Sequence, residues 1–298
     1  MIFLENNSQV RLKITFHYYL FELILTMQKQ KTVLVTGAAS GIGLAITNYL
    51  VDQGDHVIAV DINEKALNGL NKSDLITPFV MDVTNLSSIT EVVKKIQKQF
   101  SGLDGLVNNA GIFVGGPLIE VEEREVEKIL AVNVFGTFQV TKAFFPLLHE
   151  KKGRIVNMGS ETGRFAFPLN GPYTMSKFAL EAFSDSLRRE LMFLDMKVIH
   201  LQLGAVKTPL LDDTLSCYTD NFDHENSLFK NQLKTVTKVC EDEVKKGTEP
   251  EYVAKLVHKV LHKKRPRARY KVKINKLRRF LEFFPTSIVD FAMKRILK

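Results

Sequence analysis

The sequence predicts an α/β fold, a doubly wound parallel sheet in a single domain, followed by a helical, basic C-terminal extension. Three observations predict it. From Lys31 to Leu203, short β-branched runs alternate with amphipathic helical stretches. Each crossover between successive strands takes a dozen residues or more, as parallel connections require, so helices cover both faces of the sheet. A hydrophobic fraction of 45% in 298 residues is enough to bury a sizeable core.

The elements follow in order. Residues 32–36 (TVLVT) read as a buried strand and 42–52 as a helix ending near Gly54. A second strand, 56–60 (HVIAV), ends at Asp61, and 76–81 form a third. A helix over 87–100 starts at Ser87, whose hydroxyl suits an N-cap. The fourth strand is 103–107, and one long helical pattern then covers about 122 to 150. The fifth strand is 154–158 (RIVNM), followed by a long helix over 173–194 and a sixth strand at 197–203 (KVIHLQL). Beyond Thr208 the alternation stops. Residues 209–247 are polar, with little periodicity beyond a short helix, and an irregular segment after a strand's C-terminal end reads as a substrate lid. Helical pattern returns over 251–262, and 268–274 (ARYKVKI) reads as a final edge strand. The predicted organisation is a catalytic unit over 30–275 with its lid at about 209–247, an amphipathic basic tail over 276–298, and an N-terminal extension over 1–29 outside the fold.

Within that extension, residues 14–27 (ITFHYYLFELILTM) are apolar but hold His17 and Glu22. They fall short of the ~20 residues that a membrane-spanning helix needs. No small-x-small cleavage site follows. The expectation is an upstream segment, with the functional chain starting at Met27; a membrane-surface anchor is the other reading. The only cysteines, Cys217 and Cys240, form no CxxC or Cys/His ligand pattern. That argues against a disulfide framework and a structural zinc, so no metal is expected, and it fits a reducing, cytoplasmic setting. The net charge is +8, and residues 255–279 hold twelve Lys or Arg with no Asp or Glu. Any basic function therefore belongs to the C-terminal part. No recognition module accompanies this charge, which disfavours nucleic acid as a partner.

Thr36-Gly37-Ala38-Ala39-Ser40-Gly41-Ile42-Gly43 lies between the first strand and the first helix. Gly37 permits a sharp exit from the strand, Gly41 lets the backbone approach a pyrophosphate, and Gly43 lets helix and sheet pack closely. A diphosphate there meets unpaired N–H groups and the positive end of the helix dipole, a Rossmann-like dinucleotide site. Asp61, about twenty residues on, is placed to accept hydrogen bonds from both adenosine ribose hydroxyls. The same carboxylate repels a 2′-phosphate, and Ser40 and Ile62 are uncharged. NAD is therefore expected rather than NADP.

Further motifs follow in order: Asp82 in MDVT, Asn108-Asn109-Ala110-Gly111, Asn133 in AVNVFGT, Ser160, and Tyr173-x-x-x-Lys177. With the T-G-x-x-x-G-x-G turn they resemble the short-chain dehydrogenase/reductase family over roughly residues 31–208, and more loosely beyond. The resemblance implies an oxidoreductase acting on CH–OH groups, with Asn133, Ser160, Tyr173 and Lys177 as catalytic residues. It implies cofactor contacts from Gly37, Ser40, Gly41, Ile42, Gly43, Asp61, Asp82, Val83, Asn109, Tyr173, Lys177, Val206 and Thr208. Asp82 matches the residue that bonds the adenine amino group, and Asn133 one that holds a water linking the lysine to solvent. Lys177 matches the lysine that holds the nicotinamide ribose. Two positions depart from the pattern. Leu203-Gly204 stands where Pro-Gly is usual, and Gly159 stands before Ser160 where serine is common.

Chemistry explains the residue types. Moving a hydride off an alcohol carbon requires a base for the hydroxyl proton, and free tyrosine, with a pKa near 10, is a poor one. Helical spacing puts Tyr173 and Lys177 one turn apart on one face, so the ammonium is expected to lower the phenol's pKa. Ser160 is expected to donate to the substrate oxygen.

The run Ser176-Lys177-Phe178-Ala179-Leu180-Glu181 with Ser186-Leu187-Arg188 is similar to family members acting on retinoids and hydroxysteroids. Phe113, Phe165, Phe167 and Leu210 are candidates for an apolar cavity. The expected substrate is a small hydrophobic alcohol or ketone. The alternatives are an NADPH-dependent carbonyl or ketoacyl reductase, which Asp61 disfavours, and a non-catalytic dinucleotide-sensing scaffold. The resemblance also implies a homodimer or homotetramer paired through the two long helices. The tail, with Phe280, Leu281, Phe283, Phe284, Ile288 and Phe291 among basic clusters, reads as a solvated face, a cap on the substrate mouth, or a peripheral membrane contact.

Overall fold

Thr32–Thr36 (β1) opens the sheet at its centre, with Val33 and Val35 facing one helical layer and Leu34 the other. The structure, a computed structural model, describes residues 30–70, 73–220 and 226–297. The expectations for residues 1–29 lie outside them. After β1 come α1 (Gly41–Asp52), β2 (His56–Asp61), α2 (Glu64–Asn68), β3 (Ile76–Val80), α3 (Leu86–Gln99) and β4 (Gly105–Asn108). Then follow α4 (Glu123–Leu130), α5 (Thr137–Lys151), β5 (Arg154–Ser160), α6 (Gly171–Leu191) and β6 (Lys197–Leu203). The chain continues through α7 (Pro209–Asp220), α8 (Lys230–Lys246), α9 (Pro250–His262), β7 (Arg269–Val272), α10 (Lys276–Leu281) and α11 (Thr286–Ile296).

The sheet has the order β3-β2-β1-β4-β5-β6-β7, with every neighbouring pair parallel. The sheet is built outward from β1 to β3, and the path then returns beside β1 with β4. That reversal opens a crevice at the C-terminal strand ends, where open α/β sheets bind ligands. Ile46 and Leu50 of α1 and Val253, Val257 and Val260 of α9 fill one layer. Ile89 and Val92 of α3 with Phe144 and Leu148 of α5 fill the other.

Several predicted boundaries move, each for a local reason. Helix α3 is capped by Asn85, whose Oδ1 accepts from the N–H groups of Ser87 (2.9 Å) and Ser88 (3.2 Å), so Ser87 lies inside the first turn. The long helix expected over 122–150 is interrupted by a π-helical turn, Ala131–Gly136, between α4 and α5. It turns Asn133 inward and sets Gly136 where a Cβ would stand 2.9 Å from Val83 Cγ2. The expected irregular lid is two helices, α7 and α8. The buried stripe of α8, Leu233, Val236 and Cys240, has helical spacing diluted by the charges around it. The edge strand expected at 268–274 forms as β7 (Arg269–Val272), and the basic tail folds into two helices, α10 and α11.

The C-terminal half of the sheet carries a row of polar side chains in register: Asn108, Asn157, His200 and Arg269 on β4 to β7. Asn108 Nδ2 donates to Asn157 Oδ1 (2.8 Å), and Asn157 Nδ2 to Ser184 Oγ on α6 (2.9 Å). The single proton of Ser184 goes to Leu180 O (2.7 Å), so His200 Nδ1, 2.9 Å from the same oxygen, is the donor there. His200 Nε2 lies 2.9 Å from Glu181 Oε1, off the line of a hydrogen bond. Glu181 also accepts from Gln202 (2.6 Å) and Arg269 (2.5 Å). These contacts seat α6 on the sheet at a defined height. The ring of His200 occupies the space a Cβ on Gly159 would need, which explains the glycine where serine is common.

Candidate active site

The site begins where β1 ends. Gly37 (φ +62°) and Gly41 (φ +49°) adopt left-handed conformations that side chains resist, and a Cβ on Gly43 would overlap the carbonyl oxygen of Gly37. Helix α1 therefore descends directly onto the turn. Ser40 at its N-cap makes no side-chain capping bond, which leaves the first helical N–H groups for another acceptor. Asn109 braces the turn from β4: its Nδ2 donates to Thr36 O (3.0 Å) and Gly37 O (3.1 Å). Asp61, at the end of β2, accepts from the Ala39 N–H through Oδ2 and the Asn63 N–H through Oδ1, each at 3.0 Å, which holds it against the turn.

Beside the turn lies a cavity of about 230 Å³. Of the residues singled out in the sequence, Gly37, Ser40, Gly41, Ile42, Asn109, Ser160, Tyr173, Lys177, Val206 and Thr208 line it. Gly43 sits beneath the turn. Asp61, Asp82 and Val83 stand at the ends of β2 and β3, and Asn133 lies behind the wall; its Oδ1 accepts from Ile112 N–H (2.9 Å) and its Nδ2 donates to Ile112 O (3.0 Å) and Ser176 Oγ (3.1 Å). Phe113, Phe167 and Leu210 line the cavity as expected, but Phe165 does not. It packs instead against Leu281 and Met293 of the tail helices. The Leu203-Gly204 departure is held without proline, because Leu203 pairs with Ser160 on one side and Val272 on the other.

Ser160 ends β5, and Tyr173 and Lys177 share the first turns of α6. Ser160 Oγ accepts from the N–H (3.2 Å) and the hydroxyl (3.0 Å) of Thr162, so its own proton remains for the cavity side. The ring of Phe113 lies 5.0 Å from that of Tyr173 and fixes the phenol laterally. Lys177 Nζ donates to Met158 O (3.1 Å) and sits 5.4 Å from the centre of the Tyr173 ring.

The electrostatics differ from the expectation. Burial pushes the Tyr173 phenol up to about 12; the hydrogen bond with Ser160 lowers it, and the nearby Glu161 carboxylate raises it. Burial also brings Lys177 down to about 8. Desolvation therefore outweighs any pull of the ammonium on the phenol.

Sequence reasoning missed the far wall of the cavity, where Glu161, Glu243 and Arg278 meet. Glu161 adjoins Ser160 and carried a positional signal; Arg278 was one cation in a basic run and carried none. Among the described residues, Asp55, His258 and His262 are the group whose ligand atoms lie within 4.8 Å of one another. They sit at the N-terminal strand ends, away from the cavity. His262 Nε2 is already 2.7 Å from Asp55 Oδ2, a contact that ties α9 to the turn before β2.

A family model described as short chain dehydrogenase matches residues 31–217. The chain is 32% identical over 284 residues to mouse (Mus musculus) short-chain dehydrogenase/reductase family 9C member 7, covering 90% of each protein. It is 35% identical over 205 residues to human (Homo sapiens) 17-beta-hydroxysteroid dehydrogenase type 6, covering 67% of this chain and 64% of that one. A solved short-chain dehydrogenase from Streptomyces avermitilis superposes with a TM-score of 0.72 at 26% identity, covering 91% of this chain and 96% of that one. The chain belongs to the short-chain dehydrogenase family and is an oxidoreductase acting on CH–OH groups with a nicotinamide dinucleotide cofactor.

Proposed function

We propose that the protein is an NAD-dependent dehydrogenase of hydrophobic alcohols, of steroid, retinoid or lipid type, and of the corresponding ketones. The observation that carries this reading is one cavity in which Ser160, Tyr173 and Lys177 stand between a glycine-rich turn and an apolar wall of Phe113, Phe167 and Leu210. The turn fits a dinucleotide: two left-handed glycines, an uncapped helix start and a third glycine with no room for a side chain leave a backbone cradle. Gly37, Ser40, Gly41, Ile42 and Gly43 would hold the diphosphate. Asp61 would hold the adenosine ribose, Asp82 and Val83 the adenine, and Asn109, Val206 and Thr208 the nicotinamide side. Asp61 favours NAD, since a 2′-phosphate would face its carboxylate, and Ser40 and Ile62 supply no positive charge to offset it.

An oxidised nicotinamide bound here supplies a hydride acceptor and a positive charge. Tyr173 takes the hydroxyl proton of the alcohol, and Ser160 donates to the same oxygen and fixes it against the phenol. Lys177, anchored to Met158 O, holds a positive charge one helical turn away and favours the phenolate. In ketone reduction the phenol returns the proton. The apolar wall excludes water from the reacting carbon.

Phe135, Phe138, Met175 and Phe178 on and beside α5 and α6 are exposed, which supports a homodimer or homotetramer paired through these helices. No helix among the described residues is long and apolar enough to cross a membrane. The tail exposes Phe280, Phe283, Ile288 and Phe291 beside Arg279 and Arg295, which supports a cytoplasmic protein touching a membrane surface peripherally. The test is turnover of a panel of hydrophobic alcohols with NAD, read by reduced-nicotinamide absorbance. Tyr173→Phe should lower kcat by roughly a thousandfold with unchanged NAD binding. A variant that turns over as fast as wild type would refute the proton-transfer role.

A further inference from the structure

The far wall of the cavity holds a cluster of buried charges that the proposed chemistry does not use. Glu161 follows Ser160 directly, Glu243 lies on α8, and Arg278 lies on α10 of the basic tail. Arg278 Nη1 donates to Glu161 Oε1 at 2.5 Å, and its Nη2 donates to Glu243 Oε1. The N–H of Asn275, just ahead of α10, donates to Glu161 Oε2 at 2.5 Å. The guanidinium also stacks 5.1 Å from the centre of the Phe167 ring. All three charged side chains line the cavity, with that of Arg278 13% exposed and that of Glu161 9%. Three segments far apart in the chain thus meet at one guanidinium: the loop after Ser160, the lid and the tail.

We propose that Arg278 is a positioning residue of the active site, clasping lid and tail against the catalytic loop and cancelling the charge that Glu161 presents to the Tyr173 phenol. The inference rests on the reading of Tyr173 as the proton-transferring group. A carboxylate beside a phenol disfavours the phenolate, and a buried carboxylate without a partner is costly to the fold. Arginine suits the task because its fork reaches two carboxylates at once, where an ammonium acts as a point charge. The other groups facing the cluster leave it as the counter-charge to Glu161. Lys177 is on the helix of Tyr173 itself; Cys217 and Tyr218 come from α7 and Cys240 from α8. Asp242, Lys246 and Lys273 border a separate recess on the outer side of the two carboxylates. Burial pushes the Glu243 carboxyl upward, and Arg278 beside it pulls it back down.

The test uses the full chain with Arg278→Gln, Glu161→Gln and the double variant. Hydrogen exchange should report amides of α8 and α10 opening at least about tenfold faster in Arg278→Gln; unchanged exchange would overturn the clasp whatever the enzyme's substrate. In alcohol oxidation, the pH profile of kcat should move up by about one unit in Arg278→Gln and back to or below the wild-type position in the double variant. A merely structural role would lower the rate without moving the profile, and a double variant shifted as far as the single one would refute the charge effect. Should Arg278→Gln fail to fold, Glu161→Gln removes the charge while keeping the shape and one of the two acceptor oxygens, and its profile must move down. If Tyr173→Phe proves fully active, the proton-transfer reading fails, while the exchange result still decides the clasp.

Discussion

The two halves of the sheet do their work by different means. On the β1–β3 side the strands are apolar, and what shapes the site is backbone: two left-handed glycines, one glycine without room for a Cβ, and an uncapped helix start. On the β4–β7 side the strands carry Asn108, Asn157, His200 and Arg269 in register, and the site is shaped by side chains that reach between distant segments. The half with the glycine turn is built by omission of side chains and the half joined to the tail by their pairing. The first should therefore tolerate changes of polarity around it but not added atoms. The second should be sensitive to loss of any one partner.

The sharpest way to break this contrast is to add an atom on the polar side. Gly159→Ala places a methyl group in the volume of the His200 ring, and a loss of about 3 kcal/mol is expected in chemical denaturation. His200→Ala in the same chain should relieve the clash and give a coupling energy of ~1 kcal/mol or more; strict additivity would show that the ring does not fill that space. A smaller effect has the opposite sign. The Lys177 pKa falls from 10.5 unfolded to about 8 folded, so its charge destabilises the fold fully below pH 8 and not at all above 10.5. Lys177→Met should abolish turnover yet raise stability at pH 7 by about 2 kcal/mol, with the gain fading as pH rises between those two values. A melting temperature unchanged across that range would show that the ammonium is well solvated. The smallest effect belongs to the half with the glycine turn. Asp61→Ala should raise the KM for NAD by about tenfold and lower its preference over NADP, and an unaltered ratio would remove Asp61 from cofactor selection.

The same contrast decides what could be read from the residues alone. The α/β alternation, the strand sequence and the glycine turn were legible because strands and tight turns leave local marks: β-branched runs and glycines at fixed offsets. Tyr173 and Lys177 were legible for a similar reason, since one helical turn relates them. The lid helices were not, because the stripe Leu233, Val236, Cys240 is only three residues wide among lysines and glutamates. The π turn at Asn133 leaves no periodicity of its own. Asn85 took the cap expected of Ser87 because both residue types can cap, and only the geometry chooses between them. Phe165 was misassigned because its partners, Leu281 and Met293, come from a tail over a hundred residues later. Arg278 was hidden for the same reason: a guanidinium reads as surface charge until its two carboxylates are in view.

The chain's only two thiols are Cys217 on α7 and Cys240 on α8; both are buried, and Cys240 lines the cavity. Burial pushes the Cys240 thiol up to about 12, so almost no thiolate forms while it stays buried. An alkylating reagent can therefore react only during excursions that expose these sulfurs. The rate of labelling becomes a clock for those excursions, readable by mass spectrometry without any substrate, and a ligand that holds α7 and α8 in place will slow it.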